Sequence, residues 1–257
     1  WAVPSERFAS TLPYTRSIAH QVGWQWRIPL THRNGNGLVY SSAYLSDDEA
    51  ASLLLANLDS KALAEPRLIK FETGRLQQQW SHNVIAVGLA SGFLEPLEST
   101  SIHLIQSAIV RLLKVFPQYG IAPAARDYYN ADSQLEFETI RDFIILHYHA
   151  NERDDSSFWR DMRSLQLPTR LSDKLALFRQ TGQLFNDAGD IFRDSSWLQV
   201  LLGQGIWPAA YHPAASTMPG PELLATLARL QQAKQQPLTQ MLSHDAFLQR
   251  YCAEAAS

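Results

Sequence analysis

Two carboxylates three positions apart, Glu95 and Glu98, stand in "NVIAVGLASGFLEPLESTSIHLIQSAI" (Asn83 to Ile109), between an apolar run and a helix that opens on Ser and Thr. A strand, a tight turn and a helix start bring several unpaired backbone N–H groups to one point. The positive end of the helix dipole lies there too, so the spot attracts anions. The N–H groups of Thr100, Ser101 and Ile102 would face such a site. Gly88, Ala90, Ser91 and Gly92 keep bulk away, letting a flat or charged ligand approach the backbone. A carboxylate just outside could act as a base or stabilise a developing cation. The competing reading is architectural: Glu98 and Ser99 cap the helix, and Glu95 is solvated.

Other constellations carry less. His147 and His149 flank Tyr148, but residues two apart do not share a helical face, so no metal pair is expected. His103, just past the turn, reads as a satisfied, partly buried histidine. "RNGNG" (Arg33 to Gly37) lacks the G-x-G-x-x-G spacing of a dinucleotide fingerprint and suits a hairpin turn. Lys70 in "LIKFETG" reads as a strand or surface lysine, and "ERDDSSFW" (Glu152 to Trp159) as a charged turn with aromatic anchors. No G-x-S-x-G elbow for a serine nucleophile is present.

These residues need a framework to position them, and 257 residues suffice for a sizeable core. Lys and Arg number 22 against 25 Asp and Glu, a net charge of −3 with no long run of one sign, so neither nucleic acid nor an anionic membrane has electrostatic support. A single cysteine, Cys252, suits a reducing cytoplasm. No stretch approaches the roughly 18 consecutive apolar residues of a spanning helix, and no leader is evident. A start at Trp1 suggests a piece of a longer chain.

Periodicity divides the chain. "GWQWRIPL" alternates Trp24, Trp26 and Ile28 against Gln25 and Arg27, and "LVYSS" returns from the turn. Ser46 and Glu49 form a capping box. Strands are expected at "LIKFETG" and "NVIAVGL". From Thr100 the pattern is helical, with Ile102, Ile105, Ile109, Leu112, Leu113 and Phe116 on one stripe and a stop at Pro117. Ser133 and Glu136 are expected to open a further helix with Ile140, Phe143, Ile144 and His147 on one face. Ser172 is expected to cap the next, and Gly182 to end it. "SSWLQVLLG" should be a short helix, and two more should lie on either side of Pro237.

"GLASGFLEPLEST" and the Trp-x-Trp-x-Ile-Pro motif of "GWQWRIPL", in that family's order, resemble the flavin-dependent tryptophan halogenases, and "GNGLVYSS", "TGRLQQQW" and "ERDDSSFW" are similar to segments of the same family. The resemblance covers the C-terminal half of a family member. It implies an α+β chain, the C-terminal part of an FAD-dependent monooxygenase-like (glutathione-reductase-type) fold. Residues 1–117 would be a partial FAD-binding domain with the halide turn, and 118–257 a helical substrate-side region. It further implies that reduced FAD, oxygen and a halide (chloride or bromide) generate hypohalous acid. A lysine relays the oxidant to an aromatic substrate, and a separate flavin reductase supplies the reduced flavin.

Carried over residue by residue, Glu98 matches the active-site glutamate and Ser99 its motif neighbour. The amides of Thr100 and Ser101 match the halide site, and Leu89 and Ile102 positions that touch FAD. Trp24 and Trp26 match the motif tryptophans that shield the flavin side, and Trp197 a tryptophan that stacks on the indole. Glu95 is assigned to bracing the turn. The FAD-binding βαβ unit and the catalytic lysine would lie upstream, so these residues alone should bind FAD poorly and not turn over. Ser101 stands where enzymes acting on free tryptophan carry glycine. "LFNDAGDIFRDSSW" lacks the tyrosine pair and glutamate that grip the amino-acid end of free tryptophan. A different substrate, indole-like or otherwise electron-rich, is therefore expected. A homodimer is compatible with the resemblance. The rivals are a flavin monooxygenase of the same fold and a non-catalytic helical binding module.

Overall fold

Tryptophan and polar residues alternate along Trp24–Pro29 (β3), the centre of a four-stranded antiparallel sheet. With β1 (Ala2–Ser5), β2 (Arg16–Ala19) and β4 (Asn34–Val39) it takes the order β1-β4-β3-β2. The computed structural model describes residues 1–185 and 190–252.

The segment expected to form the β3–β4 turn is instead strand. Asn34 to Gly37 pair with Pro29 to Trp26, and the turn sits earlier, where the Leu30 N–H donates to the Arg33 carbonyl at 2.8 Å. The glycines serve close approach rather than turning: a Cβ on Gly37 would lie 2.2 Å from the Trp26 ring. The polar face of β3 also behaves contrary to simple alternation. Arg27 is only 3% exposed, and Gln25 is fully buried. Burial is compensated by hydrogen bonds: Arg27 donates to the Asn57 carbonyl at 2.7 Å and to Asn36 Oδ1 at 3.3 Å, and pairs with Asp59. Beside this network Val3 and Leu38 pack on Ala50 and Leu54 of α1 (Asp47–Ala56). The capping box is present, with the Glu49 N–H donating to Ser46 Oγ and the Ser46 N–H to Glu49 Oε2.

Contacts divide the chain into two units, Trp1–Ile69 with Pro213–Ser257, and Lys70–His212. That division differs from an expected boundary at 117/118, because residues 70–117 pack on the helices that follow them: Trp80 meets Tyr129 edge-on at 5.6 Å, and Leu94 and Leu97 join a cluster with Leu104, Phe137, Ile140 and Ile144.

Within Lys70–His212 the expected strands shrink. "LIKFETG" contributes only Gly74 to β5 (Gly74–Arg75), leaving Lys70 outside any strand. β6 (Trp80–Ser81) pairs with β7 (Val84–Ile85), all that remains of "NVIAVGL" as strand. β8 (Gly92–Phe93) then pairs with β5, and a Cβ on Gly92 would meet the Gly74 carbonyl at 2.6 Å. α2 (Ser101–Lys114) ends three residues before Pro117. α3 is one helix, Pro123–His149, and does not start at Ser133. Pro123 occupies its first turn, where a missing N–H costs nothing. Ser133 and Glu136 are interior and buried: Ser133 donates to Gln79, and Glu136 accepts from Ser107 and Arg111, each at 2.8 Å.

Ser156 caps α4 (Ser157–Arg163), burying Phe158 and Trp159. α5 (Thr169–Thr181) begins after Pro168, so Ser172 lies inside it, and Gly182 ends it at φ +70°. α6 (Asp194–Gly203) completes a core of Phe143, Leu146, Leu171, Leu175, Phe178, Trp197 and Leu201. α7 (Gly220–Gln235) and α8 (His244–Tyr251) lie on either side of Pro237 and belong to the first unit, where Arg7 pairs with Asp245 at 2.7 Å.

Candidate active site

Leu94 and Leu97 anchor the turn in the core, and the residues after them take an uncommon backbone. Glu98 has φ +66° and Ser99 φ +48°, two adjacent non-glycine residues in left-handed conformation. Such residues cost about 1–3 kcal/mol each and persist only where their surroundings hold them. Here the Ser99 N–H donates to the Pro96 carbonyl at 2.9 Å, and Ser99 Oγ donates to the same oxygen at 3.2 Å.

The capping reading does not hold. α2 has Thr100 as its N-cap with no side-chain bond to the first turn, and neither Glu98 nor Ser99 supplies one. The first intrahelical bond runs from the Leu104 N–H to the Thr100 carbonyl at 2.9 Å. The amides of Ser101, Ile102 and His103 are therefore the orphan donors of a helix start, with the dipole's positive end behind them.

Both glutamates reach α3. The buried Glu95 accepts from the Tyr148 hydroxyl at 2.7 Å, bracing the turn from below. Glu98 Oε1 lies 2.9 Å from His147 Nε2, and Glu98 keeps 31% of its side-chain surface exposed. His147 Nδ1 is 2.8 Å from the Phe143 carbonyl, four residues back in the helix. Sequence reasoning missed His147 as a partner of the turn, although its place on the apolar stripe of α3 was a signal. A histidine on a buried face needs a polar neighbour.

Leu89 and Ile102, which precede and follow the turn, are 77% and 79% exposed. Leu89 lies in the short 3-10 turn Gly88–Ala90, and Gly88 sits where a Cβ would contact Ile105 of α2 at 3.4 Å. His103 Nε2 lies 3.0 Å from Glu136. Further along α2 an open pocket of about 420 Å³ is lined by His103, Arg111, Lys114, Asp132 and Glu136 among others, with Arg111 paired to both acids.

Trp24 and Trp26 lie in the first unit, Trp24 buried and Trp26 half-buried against Gly37. Trp197, carried over as an indole-stacking residue, is 4% exposed in the helical core, 4.9 Å from Phe143 and 4.4 Å from Lys174 Nζ. Its burial and these neighbours support a packing role. Asn186–Gly189, inside the segment read as lacking a tryptophan-gripping set, lie outside the described residues. Among the described residues no three His, Cys, Asp or Glu side chains converge to hold a metal ion, and no helix is long and apolar enough to cross a membrane.

A sheet-rich N-terminus followed by helices matches the fold of solved flavin-dependent halogenases, of which the chain covers about half. The chain belongs to the tryptophan halogenase family, whose model matches residues 1–220. Among its relatives, tryptophan 6-halogenase SttH from Streptomyces toxytricini is 36% identical over 75% of this chain and 38% of its own length. Tryptophan 7-halogenase RebH from Lentzea aerocolonigenes is 32% identical over 80% of this chain and 42% of its own. The solved structure of Xcc4156, a flavin-dependent halogenase from Xanthomonas campestris, superposes over 100% of this chain and 52% of its own with a TM-score of 0.96 and 46% identity. The chain thus spans about half or less of the length of these relatives.

Proposed function

We propose that these residues form the halide-holding and carboxylate-bearing part of a flavin-dependent halogenase acting on an indole-like or other electron-rich aromatic. One observation carries the reading. The only glutamate of the turn with an accessible side chain is held, at the expense of a left-handed backbone, immediately before a helix start whose amides no side chain caps.

A chloride or bromide that must stay nucleophilic needs dipoles rather than a full positive charge, and the amides of Thr100 and Ser101 offer them. Electrophilic substitution builds positive charge on the ring, which the Glu98 carboxylate stabilises before accepting the departing proton. Reduced FAD, delivered by a separate flavin reductase, supplies with oxygen the oxidising power. The exposed apolar side chains of Leu89 and Ile102 beside uncapped amides fit a flat, largely apolar group with an anion next to it. Trp24 and Trp26 would shield the flavin side. The setting is cytoplasmic.

Ser101, where the resemblance puts glycine in enzymes acting on free tryptophan, supports a substrate other than free tryptophan. The test is product mass from a family-length protein given reduced flavin and either bromide or chloride, with free tryptophan, indole and substituted indoles in parallel. The expected result is halogenated indole products whose mass follows the halide. Hydroxylated product at one mass under both salts would replace the reading with a monooxygenase, and efficient turnover of free tryptophan would overturn the substrate assignment.

A further inference from the structure

His147 sits in α3, 49 residues beyond Glu98, and both of its ring nitrogens have named partners. A backbone carbonyl only accepts, so the 2.8 Å contact between Nδ1 and the Phe143 oxygen places a proton on Nδ1. That leaves the Nε2 edge 2.9 Å from a carboxylate oxygen. A bare nitrogen lone pair and a bare carboxylate do not approach so closely, and the contact requires a proton between them. We propose that His147 is the positioning residue of Glu98: the two share one proton through Nε2 and Oε1, which fixes the carboxylate and leaves Oε2 for the substrate.

Geometry favours this over a simple surface ion pair. His147 is the less exposed partner, 19% against 31% for Glu98, and its ring is braced edge-on by Phe143 at 4.9 Å. The next residue, Tyr148, holds Glu95 of the same turn, so two adjacent residues of α3 grip the turn from below. The left-handed Glu98 and Ser99 keep this geometry only while their surroundings hold it, and His147 adds a contact from outside the turn to the Ser99 bonds within it. In the substitution step the C–H electron pair of the cationic ring returns to the ring and the proton moves to Oε2. The bridging proton stays between Oε1 and Nε2, and the added one leaves to solvent after product departs. No charge beyond the transferred proton is created.

The inference rests on the proposed role of Glu98, and its test separates the two. In the full chain with isotope-labelled histidine nitrogens, His147 should show a protonated Nδ1 and an Nε2 resonance that moves in the Glu98→Gln variant while Nδ1 does not. A bare Nδ1, or an Nε2 signal indifferent to Glu98→Gln, would overturn the shared proton whatever the activity. In a family-length protein, His147→Phe should lower kcat about tenfold or more with KM within about twofold, as for a group acting on the chemical step alone. His147→Gln, which still donates to Oε1, should recover most of that loss. Equal rates for all three proteins, or no recovery by Gln, would count against positioning. A near-wild-type rate for Glu98→Gln would instead remove the catalytic reading of Glu98 and leave the nitrogen spectra to decide the bridge.

Discussion

Ser99 occupies a φ of +48° without the help of a glycine's freedom, and Glu98 beside it a φ of +66°. A β-branched side chain tolerates that region least. Ser99→Val should therefore lower unfolding free energy by about 1–3 kcal/mol, and Ser99→Gly should leave it level or raise it, measured by denaturant titration. An unchanged midpoint for Val would show that the backbone at 99 is not strained. "LEPLEST" contains no glycine or asparagine, so nothing in it announces a left-handed pair. The position of Glu98 just before a helix start, by contrast, is legible, because the start of α2 follows from the periodicity of the residues after it. Trp197, an aromatic in a matching motif position, lies in the helical core, and motif position does not report burial.

At the scale of elements, α3 was the hardest to read. Ser133 and Glu136 have the spacing of a capping box, yet both lie inside the helix, because buried polar residues that pair with Arg111 and Gln79 mimic a capping signature in one dimension. Asp142, on the same helix, is buried among helices and accepts from the neighbouring Arg141 at 2.7 Å. Burial, opposed in part by Arg141, pushes its carboxyl above the usual 3.8. The folded chain then holds this proton more tightly than the unfolded one. The group's contribution is greatest below the unfolded value and is lost as pH rises through the folded one, so at neutral pH the ionised carboxylate is a cost. Asp142→Asn should gain stability relative to the parent as pH rises through the mildly acidic range, then hold that gain. A difference that is flat with pH, or that shrinks, would contradict the assignment. The sheet is half legible: strand positions followed the alternation, but the polar side of β3 is buried too, since hydrogen-bonded Arg27 and Gln25 fill space that alternation assigns to solvent.

For the whole molecule, family and fold class followed from two long motifs in order, while the contact units did not, because the closing helices join the first 69 residues through pairs as distant as Arg7 and Asp245. A chain spanning 52% of the Xanthomonas halogenase carries the turn, the carboxylate and its histidine, but no glycine-rich flavin fingerprint. The measurement that bears most directly on the account is the single-turnover rate of halogenation by Glu98→Gln in a family-length protein loaded with reduced flavin and bromide. A loss of about 10²-fold or more, with the fold intact, is the predicted result. A rate near that of the parent would contradict it and return Glu98 to a role in shaping the turn.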